Sequence, residues 1–213
     1  MSTILKSAFH GAVADGIYRE IVNNSSRYYY FLGKTLPWAN DATPDTPLNS
    51  VAYENTTRNE IITLKRITPS DVSFVIPRID WATGTVYDRY DNNIDLTNLN
   101  YYVIIPPVVS GGNYNVYKCI DNNRDANSTV MPTGTGTSII NTSDGYRWKY
   151  MYTVSDGEIL KFRSAEHIPV KTISSNSGIG SNAILSAQWA VQQNAINTGN
   201  GAIFHIKIYS NGH

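Results

Sequence analysis

Along the first two dozen residues apolar positions recur in pairs four apart. Ile4 and Leu5, Ala8 and Phe9, and Ala12 and Val13 lead into Ile17, Tyr18, Ile21 and Val22. That spacing lays one apolar stripe along a helix, so an amphipathic N-terminal helix is predicted. Gly16 is expected to kink or divide it, and the polar run at 23–27 to end it. The aromatic stretch from Arg27 to Lys34 then reads as a β-strand closed by Gly33. Residues 37–50 contain three prolines. Prolines exclude a helix interior or a central strand, so an extended surface loop is expected there, with Trp38 as its anchor. Residues 52–67 fit two readings: Ile61, Ile62, Leu64 and Ile67 suit a helix, yet Glu60 to Ile67 also passes as a strand. Thr68-Pro69-Ser70-Asp71 predicts a capped helical turn with proline in its first turn.

The second half of the chain reads as β. Asn100 to Pro107 is a short strand stopped by Pro106 and Pro107, residues 110–113 are a turn, and Tyr114 to Asp121 is a second strand. Tyr146 to Val154 carries the cleanest alternation. It sets Tyr146, Trp148, Tyr150, Tyr152 and Val154 on one face, and Arg147, Lys149, Met151 and Thr153 on the other, which is wet or docked. Past residue 170 a Gly/Ser-rich stretch precedes a helix over 183–196 and a strand over 201–213. A terminal strand needs a partner, so either the product is longer or another chain completes the edge. There is no internal repeat. The expected class is mainly β with a few helices: a helical segment at 1–26, a β domain at 27–170, and a flexible segment with a helix and strand at 171–213.

A chain of 213 residues buries about 70% of its unfolded surface and can build a real core. Lys and Arg number 17 against 17 Asp and Glu, which argues against nucleic-acid binding driven by counterion release. No apolar run approaches the roughly 20 residues of a membrane span, and Lys6, His10 and Gly11 interrupt the apolar region a signal peptide needs. Cys119 is the one cysteine, so an intrachain disulfide framework is excluded. A reducing compartment, or a particle assembled inside a cell, fits that usage. The Asn-x-Ser/Thr triplets fall in a chain rich in Asn, Ser and Thr, and carry little weight as glycosylation sites.

Candidate chemistry is thin. Asp91, Asn93 and Asp95, and again Asp121, Asn123 and Asp125, match the first positions of a calcium loop. Leu96 and Ala126 replace its glycine, and Tyr102 and Pro132 its bidentate glutamate, so Asx turns are the preferred reading. The histidines, His10, His167, His205 and His213, lack the spacing of a zinc site. No nucleophile elbow appears. Cys119 lies mid-strand, where a thiol packs as a small apolar group. Residues 132–138 are glycine-dotted but lack the lysine of a phosphate loop and read as a mobile loop. Asp80, Asp88, Asp91 and Asp144 could in principle supply a glycosidase pair, but no two can be assigned opposite environments. Trp38 and Trp81 could stack on sugars. No catalytic residue, cofactor or metal site is therefore expected.

Four motifs in order resemble one family. They are Phe31, Gly33, Lys34, Pro37 and Trp38; then Val75, Ile76, Pro77, Arg78, Asp80 and Trp81; then Val116 to Asp121, with Tyr117, Cys119 and Asp121; and last Asp144, Gly145, Tyr146, Trp148 and Tyr150. Together they look like the baseplate wedge subunit of contractile-tailed bacteriophages of the T-even type, over roughly residues 28–170. The resemblance implies a β-sandwich, a homodimer or higher assembly, other baseplate wedge proteins as partners, no nucleic acid or membrane partner, and no enzymatic activity. It places the protein in the virion, in the tail baseplate, after assembly in the host cytoplasm. The motif residues are shape-setting types: Pro77 ends the apolar run, Trp81 plugs the corner, and Arg78 and Asp80 satisfy backbone groups that the turn exposes. A carbohydrate-binding tail module is the alternative, and a glycosidase the third reading.

Overall fold

The computed structural model describes residues 7–91 and 93–198. The chain divides into two compact units, Met1–Ser73 and Phe74–His213, so a boundary falls inside the span 27–170 that the sequence groups together. Among the described residues there are eight strands in three antiparallel sheets and four α-helices. The fold is a mixed one in which strands outnumber helices.

In the N-terminal unit α1 (Ser7–Val22) runs through Gly16 without the expected division. It ends where Asn24 takes a left-handed φ of 54°, a conformation asparagine tolerates better than most residues. β1 (Tyr29–Gly33) and β2 (Ile61–Arg66) pair antiparallel, with Phe31 opposite Leu64 and Tyr30 opposite Lys65. The ambiguous stretch splits in two. α2 (Val51–Asn59) is capped by Ser50, whose Oγ accepts from the Tyr53 N–H at 3.2 Å, and the β-branched run Ile61-Ile62-Thr63 then enters β2. A single 3-10 turn, Pro69–Asp71, carries the expected cap: the Asp71 carboxylate accepts from the Thr68 N–H at 3.0 Å and pairs with Lys65 at 2.8 Å. Ile21 is the one hydrophobic side chain in this unit's described residues that is buried.

The C-terminal unit holds β3 (Val75–Pro77), β4 (Tyr102–Ile105), β5 (Tyr114–Asp121), β6 (Ile139–Asn141), β7 (Arg147–Val154), α3 (Asp156–Phe162), β8 (His167–Pro169) and α4 (Ala183–Thr198). Its main sheet has the order β4-β5-β7-β6, and β3 pairs with β8 in a second, two-stranded sheet. The strand expected over 201–213 lies outside the described residues. Sequence periodicity passed over α3, although its capping box is legible: Ser155 Oγ accepts from the Glu158 N–H while the Glu158 carboxylate accepts from the Ser155 N–H at 3.0 Å.

The alternation read along β7 does not survive folding. Val116 pairs with Tyr152 but the next residue, Tyr117, pairs with Tyr150, so Met151 is an extra residue on β7. Such a bulge moves every later side chain to the other face. Trp148 and Tyr150 therefore pack with Tyr87, Val103, Tyr117, Cys119 and Val191, the last on α4. Tyr152 and Val154 instead join Tyr102, Ile104, Val116, Ile159 and Ile168 in a second core. The face expected to be wet or docked is covered at Lys149, which is only 4% exposed and pairs in register with Lys118 on β5. Burial pushes both ammonium groups toward neutrality, and Lys118 Nζ rests 3.9 Å from the Tyr90 ring centre.

Ile168, fully buried on β8, carries the small sheet's contact with the second core. We expect Ile168→Ala to lower the unfolding free energy by about 2–5 kcal/mol, measured as a lower urea midpoint with an unchanged denaturant slope.

Candidate functional site

Three of the four sequence motifs lie in the C-terminal unit, in or beside the strands of the main sheet and in β3 of the small sheet. Residues 79–81 run beside β4: the Ile104 N–H donates to the Ile79 carbonyl at 2.8 Å and the Trp81 N–H donates to the Ile104 carbonyl at 3.2 Å. Pro77 closes β3, and its carbonyl accepts from the Tyr102 hydroxyl at 2.6 Å. The half-buried Trp81 packs against the first core, and its Nε1–H donates to Ser128 Oγ at 3.1 Å. Arg78 and Asp80 differ from expectation. Rather than meeting backbone groups of the turn, they form a two-pronged pair with each other, at 3.0 Å from Nε and 2.7 Å from Nη2.

Asp144 is the polar centre of the corner. Its carboxylate accepts from the backbone N–H groups of Thr129 at 2.8 Å, Val130 at 2.9 Å and Tyr146 at 3.2 Å, and from the Thr142 hydroxyl. Partial burial pushes its pKa up, but these donors outweigh burial and hold it below the ordinary carboxylate value. Gly145 next to it has φ +85°, and a Cβ there would meet the Asn123 side chain at 2.6 Å. Only glycine fits.

Asn123, Arg124 and Asp125 are all left-handed, with φ of 52°, 60° and 60°. The calcium-like carboxylates are spent inside this turn and its counterpart. Asp121 Oδ1 accepts from the Asn123 N–H at 3.0 Å, Asp125 from the Asn122 amide at 2.7 Å, and Asp91 Oδ1 from the Asn93 N–H at 2.9 Å. Among the described residues no group of three or more His, Cys, Asp or Glu is placed to hold a metal.

Tyrosine hydroxyls tie the surrounding loops to the sheet. Tyr146 donates to the Ala126 carbonyl at 2.5 Å and accepts from the Tyr87 N–H at 3.2 Å. Tyr117 donates to the Gly134 carbonyl at 2.9 Å, Tyr152 to the Pro169 carbonyl at 3.3 Å, and Tyr87 accepts from the Ala82 N–H at 2.6 Å. Tyr150 shares a hydrogen bond with Thr153 at 2.7 Å. Burial raises the Tyr102 and Tyr117 hydroxyls to about 12, so they remain protonated donors. Trp148 stacks on Tyr146 at 5.4 Å and meets the edge of Tyr87 at 5.6 Å. Cys119, fully buried in the same core, has its thiol pushed up to about 12 by burial, which makes it a packing group.

The first motif stands apart, in the N-terminal unit. Phe31 is 45% exposed, its ring lies 3.3 Å from where a Gly33 Cβ would be, and Pro37 is exposed. Lys34 Nζ sits 3.3 Å from the Trp38 ring centre, taking a ring face that a sugar would need. Among the other candidate acids, Asp88 accepts from the Asn100 N–H at 2.7 Å, and hydrogen bonds from Asn93 hold Asp91 below the ordinary carboxylate value.

Tyr87, Asn122 and Ser128 were missed in the sequence. Each acts through a contact far along the chain: the Asn122 amide donates to the Tyr87 carbonyl at 3.1 Å and Ser128 receives Trp81. No local signal marks them. Compared with known proteins, the chain matches no family model and no curated sequence.

Two expectations test the corner. Asp144→Asn removes an acceptor shared by several partly buried donors and should lower stability by about 1–3 kcal/mol at neutral pH. Because the folded-state pKa of Asp144 is depressed, its contribution is complete above the unfolded carboxylate value and disappears as pH falls through the folded value. The difference between wild type and variant in urea titrations should therefore shrink in that acid window. Gly145→Ala should lower the thermal midpoint, through the left-handed backbone and the Asn123 clash together, whereas Gly157→Ala, in open space on α3, should not.

Proposed function

We propose that this chain is a structural subunit of a contractile phage tail baseplate, a wedge component that oligomerises and bridges neighbouring wedge proteins. The observation that carries the reading is the use made of the motif residues. Trp81, Tyr117, Cys119, Asp144, Gly145, Tyr146, Trp148 and Tyr150 are consumed in packing, turn geometry and internal hydrogen bonds, which is the chemistry of a shape-holding part. We further read the sheet of β3 and β8, whose Ile76 and Ile168 share a core with the main sheet, as the second layer of a β-sandwich. The chain's equal numbers of acidic and basic side chains suit neutral, close-packed contacts with fellow subunits over steering toward a polyanion. In this role the protein works from the virion baseplate, built in the host cytoplasm, without a cofactor or bound nucleic acid.

Co-expression with the other tail proteins of the same phage is the direct test. The chain should co-purify and co-elute with at least one of them, and labelled antibody should decorate the baseplate end of intact particles in electron micrographs. Failure to bind any tail protein, with no labelling of particles, would overturn the proposal. Loss of glycan binding on Trp81→Ala in a folded protein would favour the sugar-binding reading instead.

A further inference from the structure

We infer that β1 is a homotypic docking strand: two copies of this chain join edge to edge through Tyr29–Gly33, turning two ribbons into one four-stranded sheet of order β2-β1-β1-β2. The inference rests on the reading of the chain as an assembling subunit and names the surface through which it pairs.

The backbone supplies the first argument. The Ile67 N–H donates to the Tyr28 carbonyl at 2.8 Å, so Tyr28 and Ile67 begin the hydrogen-bonded pairs of the ladder. With the register Tyr29–Arg66, Tyr30–Lys65, Phe31–Leu64 and Leu32–Thr63, alternation turns the N–H and C=O groups of Tyr29 and Phe31 away from β2. Within the described residues no other strand pairs with β1. Soluble proteins guard such an edge with charge, proline or a covering element. Tyr29-Tyr30-Phe31-Leu32-Gly33 contains neither charge nor proline. β2, by contrast, carries Lys65 and Arg66.

The second argument is the state of the unit. Tyr29, Tyr30, Phe31, Leu32, Ile62 and Leu64 are between 45% and 65% exposed, and a two-stranded ribbon alone is marginal, whereas three or more strands with an apolar face are stable. Pairing two ribbons reaches that number.

Charge selects a second copy as the occupant. An antiparallel two-fold centred on Phe31 sets Phe31 against Phe31, Tyr30 against Leu32, and Tyr29 against Gly33 of the other copy. The strand ends at Gly33 and Lys34 turns off with a left-handed φ of 75°, so the seam spans residues 29–33 and holds no charged side chain. Residues 1–73 hold seven Lys or Arg and seven Asp or Glu, so two such units approach without net repulsion. Tyr29 and Phe31 of both copies line up as a continuous aromatic row on one face, of the kind that stabilises cross-strand pairs.

Cysteine placement tests the register. Phe31→Cys puts two thiols directly opposite across the two-fold, about 5.5 Å apart at Cα, within disulfide reach. Under mild oxidation this variant should run at twice the 23.7 kDa chain mass on non-reducing gels. Tyr30→Cys, which faces Leu32, should not, and buried Cys119 does not interfere. Phe31→Lys should raise the dimer dissociation constant about tenfold or more by like-charge opposition, read by sedimentation equilibrium. Its circular dichroism should be unchanged, because the side chain is already half exposed. A dimer that cross-links in the Phe31→Cys variant, and that dissociates in a folded Phe31→Lys variant, supports the inference. A monomer at every concentration overturns it, as does a dimer that neither cross-links through a cysteine at position 31 nor responds to a lysine there. A monomer that still binds tail proteins overturns this inference alone; one that binds none overturns the proposed function as well.

Discussion

A sheet covered on both faces leaves no water for its polar side chains, and that constraint organises the C-terminal unit. Tyrosine can enter such a core only if its hydroxyl finds a partner. Here Tyr102, Tyr117, Tyr146 and Tyr152 donate to the carbonyls of Pro77, Gly134, Ala126 and Pro169. Each ring fills the core while its hydroxyl fixes a loop, at Gly134 and Ala126, or the end of a strand of the small sheet, at Pro77 and Pro169. The proline-rich and asparagine-rich connections, which have few side chains to bury, are thereby held in place by the sheet. Trp148, whose Nε1 makes no hydrogen bond, is held by its ring contacts alone.

The Met151 bulge makes this arrangement possible. Without the extra residue all the aromatic side chains of β7 would crowd one face, and the other would carry Arg147, Lys149, Met151 and Thr153. With it, a single strand serves two cores: Trp148 and Tyr150 face α4, and Tyr152 and Val154 face α3 and β8. Lys149, opposite Lys118, is buried in the same sheet, a cost that the Thr137 carbonyl and the Tyr90 ring offset in part.

The two units solve the burial problem differently. From Phe74 onward the described side chains build dense cores, and the ionisable groups of the corner are absorbed into turns. Before it, aromatic and aliphatic side chains stand in the open on a ribbon, while charges pair nearby, Lys65 of β2 with Asp71 of the 3-10 turn and Arg19 with Asp15 along α1. The same residue types thus fill cores in one unit and stand exposed in the other.

Local chemistry alone specified much of the architecture. The helical period announced α1 and α4, aromatic and β-branched runs announced β1, β4, β5 and β7, and Thr68-Pro69 announced the 3-10 turn, because each depends on residues within one or two turns of chain. Asp144-Gly145 was legible as a turn for the same reason. Other features were decided only by contacts between distant residues. The bulge arises from the register of β7 against β5, the pairing of Val75–Pro77 with His167–Pro169 spans most of the unit, and Ser128 gains its role from Trp81 far upstream. Burial of Lys149 is decided the same way, since a side chain's solvation depends on what packs over it and the local pattern of alternation carries no information about that cover.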